Sequence, residues 1–187
     1  MRQRACLGLV HHPTVDRQGR ELATAVTTLD LHDLSRLART YGLGGVYATT
    51  PLAAQRALVG RLLRHWTEGH GAQANPSRRE ALLGLCVVED IAAATRDVAQ
   101  RFGAAPLLVA TSAREGAERF PLAAARRRLA SETRPVLLLF GTGWGLAPEV
   151  LDACDWVLEP VRSPTGYNHL SVRSAASIVV DRLWGEW

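Results

Sequence analysis

At 187 residues the chain has room for one domain with a substantial core. Its 47% hydrophobic and 21% charged residues exclude a disordered chain, and apolar runs such as Pro135–Phe140 are far too short to span a membrane. The 22 basic residues are all arginine, which a GC-rich coding sequence favours, and the net charge of +4 permits a polyanionic partner without demanding one.

The charged start Met1–Arg4 is followed by an apolar stretch that stops at His11. That is too short for a signal peptide, so a cytoplasmic location is expected. Ala5–Val10 is a predicted strand and His11–Arg20 a polar loop. Asp30–Tyr41 carries Leu31, Leu34, Leu37, Ala38 and Tyr41 on one face, which is helical spacing. Gly44–Thr50 is a short strand, and Leu52–Trp66 a long helix with Leu58, Leu62 and Leu63 inward. Glu68–Ser77 is read as a polar loop. Leu83–Val88 is a strand, and Ile91–Phe102 a helix with Glu89 and Asp90 at its positive end. Pro106–Ala110 is a strand, and Leu122–Ala130 a helix opened by Pro121. Pro135–Phe140 and Trp156–Leu158 are the last strands, and Ser171–Leu183 is a C-terminal helix packed through Ile178, Val179, Val180 and Leu183.

Strand–helix alternation throughout defines an α/β chain, a single domain over 1–187 with a mostly parallel, Rossmann-like sheet flanked by helices. Ligands of such sheets sit beyond the carboxyl ends of the strands. The loops in that position are Thr49–Pro51, Thr111–Gly116, Gly141–Ala147 and Glu159–Asn168. Cys6, Cys86 and Cys154 lie far apart with no CxxC or Cys–His spacing, and read as small buried hydrophobes of a reducing compartment. The six histidines show no zinc spacing, so no metal is expected.

Several segments admit both a bland and a chemical reading. Gly141-Thr142-Gly143-Trp144-Gly145 follows a buried strand and is either a tight turn or a loop that brings backbone N–H groups against a ligand. As a dinucleotide fingerprint it is poorly spaced, GxGxG rather than GxGxxG, and it follows a late strand, although Glu159 lies at a suitable separation for a ribose hydroxyl. Thr111 and Ser112 either cap a helix or line a pocket with hydroxyls. Ser171 is a good N-cap, Asn168 offers both a donor and an acceptor, and His169 taken alone is structural. Asp30 is a candidate helix cap and Arg36 either solvated or functional. His32 and Asp33 are adjacent, but no serine or cysteine nucleophile completes a triad with them.

Taken in order, these segments resemble the SPOUT superfamily of RNA methyltransferases, named for its SpoU-like and TrmD-like members. Asp30–Gly42 resembles the first motif, with Asp30 where asparagine is usual and Arg36 close to the motif arginine. Thr111-Ser112-Ala113-Arg114 resembles a T-S-A-R segment of some tRNA methyltransferases of the superfamily. Leu139–Leu146 is similar to the second motif, with Trp144 or a neighbour where a glutamate is usual. Asn168–Ser174 is similar to the third, with one extra residue before Ser171. Thr24–Asp33, His65-Trp66-x-x-Gly69 and Tyr167–Arg173 resemble a subgroup related to the domain fused C-terminally to tRNA (guanine-N1)-methyltransferases.

The resemblance implies a C-terminal trefoil knot (an α/β knot), bent S-adenosylmethionine in the knot loops, RNA (tRNA or rRNA) as substrate, and a homodimer whose subunits complete each other's sites. It places the cofactor among Thr111, Ser112, Phe140, Gly141, Thr142, Gly143, Gly145, Leu158, Pro160, Arg162, Asn168, His169, Leu170 and Ser171. It makes Arg36 the main residue on the substrate side. Arginine is a poor base, so Asp30, His32 or Asp33 is the expected proton acceptor, with Asn168 and Ser171 positioning cofactor or target. Two rivals stay open: a non-catalytic cofactor- or RNA-binding module of the same fold, and a nucleotide-dependent oxidoreductase resting on the glycine loop.

Overall fold

The computed structural model describes residues 2–116 and 119–186. Six strands form one parallel sheet in the order β5-β4-β1-β7-β6-β8, where β1 is Ala5–Val10, β4 Gly45–Thr49, β5 Leu85–Val88, β6 Leu107–Ala110, β7 Val136–Gly141 and β8 Trp156–Val157. The chain builds outward from β1 through β4 to β5, then crosses to the other side and builds β6, β7 and β8. The strand order therefore reverses between β1 and β7, which opens a crevice beyond their carboxyl ends.

Alternate strand residues feed two cores. Leu7, Leu9, Leu138 and Phe140 face α1 (Thr28–Thr40), α2 (Ala53–Thr67), α6 (Leu122–Ser131) and α8 (Val172–Trp184). Cys6, Val10, Leu137 and Leu139 face α5 (Ile91–Phe102) and α7 (Pro148–Asp152). Burial on both faces explains why β1 and β7 read as unbroken apolar runs rather than alternating ones. Local capping fixes several helix starts. Asp90 Oδ1 accepts from Ala93 N at 2.6 Å, and Ser171 Oγ accepts from Ser174 N at 3.2 Å. Gly103, at φ 75°, ends α5 in a left-handed turn that favours glycine.

The structure corrects several sequence expectations. The stretch read as a polar loop after α2 folds into α3 (His70–Ala74) and α4 (Pro76–Leu82). Asn75 caps α4 and Pro76 opens it. The loop after β1 contains a small hairpin, β2 (Thr14–Val15) with β3 (Glu21–Leu22). The short helix α7 is an addition, opened by Pro148. Val59, not Leu58, is the buried side chain of α2, and Leu58 is exposed. Thr27, not Asp30, caps α1: its hydroxyl accepts from Asp30 N at 3.2 Å and donates to Asp30 Oδ2 at 2.6 Å. Cys86 is exposed, because β5 is an edge strand, and of the three cysteines only Cys6 is fully buried. Among the described residues, no helix is long and apolar enough to cross a membrane.

Candidate cofactor and substrate site

A cavity of about 910 Å³ occupies the crevice beyond β1, β6 and β7. Its size is that of a pocket for a nucleoside-sized ligand. Four segments wall it: Thr24–Asp30 before and at the start of α1, Thr111–Arg114 after β6, Phe140–Leu146 after β7, and a stretch from Glu159 to Arg173 that leads into α8. Phe140, Leu146, Val161, Val172 and Val179 give it an apolar lining, while Thr111, Ser112, Asn168 and Ser171 add hydroxyl and amide groups.

The walls are cross-linked by hydrogen bonds. Asn168 Nδ2 donates to Ala113 O at 3.1 Å, and Arg114 Nη2 donates to Trp144 O at 2.9 Å. Thr142 Oγ1 donates to Val10 O at 3.0 Å, so the hydroxyl of Thr24, its other partner, must donate to it. That in turn leaves His11 Nδ1 to donate to Thr24 Oγ1 at 2.9 Å, which fixes the imidazole tautomer. His11 is fully buried, and burial pushes its pKa down to about 4, against the opposing pull of the Asp30 carboxylate. Its Nε2 is buried without a hydrogen-bond partner among the described residues.

The glycine loop is built by close approach. A Cβ on Gly141 would lie 2.5 Å from Leu146 N, and Gly143 and Gly145 have φ of 60° and 105°. A Cβ on Gly145 would meet nothing within 4 Å, so the loop leaves space on its cavity side.

Two helix starts meet at the opposite wall. Arg173 Nη1 lies 2.5 Å from Asp30 Oδ1, and Arg173 Nε lies 3.2 Å from Asp33 Oδ2. Glu159 also lines the cavity, but its Oε1 accepts from Leu122 N at 2.9 Å and so anchors the start of α6.

The cavity brings together Asp30, Thr111, Ser112, Phe140, Gly141, Thr142, Gly143, Gly145, Asn168, His169, Leu170 and Ser171. It does not include six other residues singled out in the sequence, one of which, Asp33, is half exposed and reaches the site only through its ion pair with Arg173. Leu158 is fully buried and its N–H donates to Ala110 O at 2.8 Å. Pro160 is buried, and Arg162 is exposed and paired with Glu115 at 3.1 Å. Arg36 lies on the exposed side of α1. His32 packs edge-on against Trp66, with ring centroids 5.4 Å apart, and burial lowers its pKa, helped by the Arg78 charge. Arg173 and Thr24 also line the cavity, and their side chains tie its walls together. Arg173 stands within the third motif, but nothing in a sequence shows that Asp30 is its partner. No group of three or more His, Cys, Asp or Glu side chains among the described residues is placed to hold a metal.

The residues present fit S-adenosylmethionine in kind: an apolar slot for a purine, and hydroxyls and an amide for a ribose. This is an α/β fold with its candidate cofactor crevice at the point where strand order reverses. Residues 4–185 match the model of a family described as SAM-dependent RNA methyltransferases, and the chain belongs to that family. S-adenosylmethionine is the cofactor of the family.

The chain is 53% identical, over 178 residues, to a tRNA (guanine-N(1)-)-methyltransferase of Nitratidesulfovibrio vulgaris, covering 95% of this chain and 41% of that relative. It is 35% identical to an uncharacterized protein of Aquifex aeolicus, covering 95% of this chain and 87% of that one. The chain thus spans about two fifths of the named relative's length. Among solved structures, a probable methylase family protein from Haemophilus influenzae superposes with a TM-score of 0.65 at 16% identity, over 98% of this chain and 66% of that one. The Aquifex aeolicus TrmH/SpoU tRNA modifying enzyme gives 0.58 at 14% identity, over 97% and 74% of the two chains. The SpoU methyltransferase AviRb of Streptomyces viridochromogenes, in complex with AdoMet, gives 0.55 at 14% identity, over 95% and 56%. At these identities the likeness is one of fold, and that fold is the SpoU type of parallel α/β sheet flanked by helices.

Proposed function

We propose that this chain binds S-adenosylmethionine in the cavity at the β1/β7 crevice and transfers its methyl group to a nucleotide of tRNA or rRNA. One observation carries the reading: the three motif loops, far apart in sequence, converge on a single amphipathic cavity with hydrogen bonds joining their backbones and side chains.

The bound cofactor supplies a sulfonium methyl that is already electrophilic, so the chain's task is to align an acceptor and take up a proton. In this proposal the backbone of Phe140–Gly145 borders the purine, and Thr111, Ser112, Asn168 and Ser171 address the ribose and the amino-acid end. His169 and Leu170 close the mouth. Leu158, Pro160 and Arg162 support the loop from beneath or from its outer side rather than touching the ligand. Asp30 is committed to Arg173, and that pair positions the floor of the site. His32 is assigned to packing, on the strength of its contact with Trp66. Asp33 shares the Arg173 guanidinium with Asp30 but is half exposed, outside the cavity lining, and is the remaining candidate proton acceptor on α1. Arg36, on the exposed face of α1, reaches a phosphate or the acceptor nucleotide.

A homodimer belongs to the same proposal. Leu29, in the first turn of α1 and 63% exposed, offers an apolar contact to a second subunit beside the site. So does the trefoil knot. After β8, at the edge of the sheet, the chain must return inward to α8, which packs on α1 and α6, and a knot results if that return passes beneath the loop after β6. A non-catalytic binding module of the same fold is kept as a second reading by the fact that the chain matches only 41% of a relative named for methyl transfer.

Isothermal titration with S-adenosylmethionine tests the cofactor half, with NADH as the control; no heat from S-adenosylmethionine overturns the proposal. Transfer of tritiated methyl to undermodified total RNA tests enzyme against module.

A further inference from the structure

Three rings stand in a row at the mouth of the cavity. The Trp144 and His169 rings are 5.7 Å apart at 69°, and the Tyr167 and His169 rings 5.3 Å apart at 72°. Trp144 is 48% and Tyr167 70% exposed, and they are the exposed large aromatics among the described residues. Both touch the same imidazole. Near-perpendicular packing engages part of each ring and leaves ring surface to solvent, apart from the side of Trp144 over which Arg17 lies. Exposed aromatic surface gathered in one place marks a contact site rather than chance exposure.

Cations flank the rings. The Arg17 guanidinium carbon sits 6.0 Å from the centre of the Trp144 ring. Arg114 Nη2 donates to Trp144 O at 2.9 Å, and Arg119 Nε to Arg114 O at 3.3 Å. A guanidinium carries five N–H donors, so these single bonds leave most of them for an anion. Ring faces stack on any nucleobase, and arginines beside them meet the sugar–phosphate backbone. A protein partner can also use Trp, Tyr and Arg, and light scattering separates that outcome from RNA.

We propose that Trp144, His169 and Tyr167 form a stacking platform for an unpaired nucleobase of the RNA substrate, with Arg17 and Arg114 on its backbone. The inference rests on the RNA-methyltransferase reading and narrows it. The chain takes a nucleotide from a single-stranded loop or bulge, because bases inside an A-form duplex expose no face for stacking.

The test is fluorescence anisotropy, at one fixed salt concentration, with a labelled single-stranded oligoribonucleotide of about nine nucleotides and a duplex of the same length. Wild type is expected to bind the single strand more tightly. Tyr167→Ala and Trp144→Ala should each weaken that binding about tenfold, while Tyr167→Phe and Trp144→Phe stay within about twofold of wild type. Tyr167→Ala should keep its heat of S-adenosylmethionine binding. Unchanged single-strand affinity in the alanine variants overturns the platform and leaves the methyltransferase reading standing. Alanine variants that fall from dimer to monomer in light scattering, with RNA affinity dropping only in step, also overturn it and place the rings between subunits. A wild-type protein that binds S-adenosylmethionine but neither RNA overturns the RNA reading itself.

Discussion

Arg173 Nη1 lies 2.5 Å from Asp30 Oδ1, a partner 143 positions away in sequence, and joins the first turns of two helices. Asp30 is almost fully buried, so its carboxylate depends on this partner and on the Thr27 hydroxyl. Removing the arginine leaves a buried charge with incomplete compensation, which costs more than the pair itself contributes. Arg173 is about one third exposed, and solvent therefore moderates the loss. Arg173→Ala should destabilise the fold by ~2 kcal/mol in urea denaturation and weaken cofactor binding. Replacing Asp30 as well, in Asp30→Asn/Arg173→Ala, should restore part of the stability. No recovery in the double variant would contradict the coupling.

Arg36 stands outside the cavity, on the exposed side of the same helix. Arg36→Ala should therefore leave the calorimetric affinity for S-adenosylmethionine unchanged while methyl transfer falls by at least about tenfold, the loss of one charge-assisted contact. Parallel loss of both would contradict a substrate-side role.

His11 makes stability depend on pH. Its folded pKa of about 4 lies below the ordinary 6.5, so the native state holds the ring neutral while the unfolded chain takes up a proton. The stabilisation is complete above 6.5 and is lost as pH falls from 6.5 towards about 4. The full shift corresponds to ~3 kcal/mol. His32 is shifted in the same direction and adds to the slope. Urea denaturation between pH 7 and 4.5 should show the loss, and His11→Asn, which keeps a donor for Thr24, should flatten the curve. An unchanged slope in that variant would exclude His11 as its source.

The glycine loop tolerates no side chain at Gly141. An added Cβ would press on Leu146 N and on the Gly145 carbonyl carbon at 2.5 and 2.8 Å, and backbone does not yield as a side chain does. Gly141→Ala should cost about 1–3 kcal/mol of stability and abolish the heat of cofactor binding. Gly145→Ala meets open space, but at φ 105° it strains the backbone. It should lower cofactor affinity with a smaller effect on the melting temperature.

Sequence alone determined the elements whose physics is local. The doubly buried strands read as apolar runs at Ala5–Val10 and Pro135–Phe140, α5 carried Glu89 and Asp90 at its positive end, and α8 announced itself through Ser171. Motif order then identified three loops that do converge on one cavity. The extra helices α3 and α4 were hidden because polar segments of five and seven residues carry too little periodicity, although Asn75-Pro76 was a readable cap. Tertiary structure decided the rest. Whether a titratable residue belongs to the site depends on which way its helix turns: Asp30 and His32 are two positions apart on α1, yet one faces the cavity and the other packs on Trp66. The Asp30–Arg173 pair, the His11–Thr24–Thr142 chain and the row of rings from Trp144 to Tyr167 each join segments distant in sequence. Such contacts follow from the reversal of strand order between β1 and β7, which periodicity along the chain does not encode.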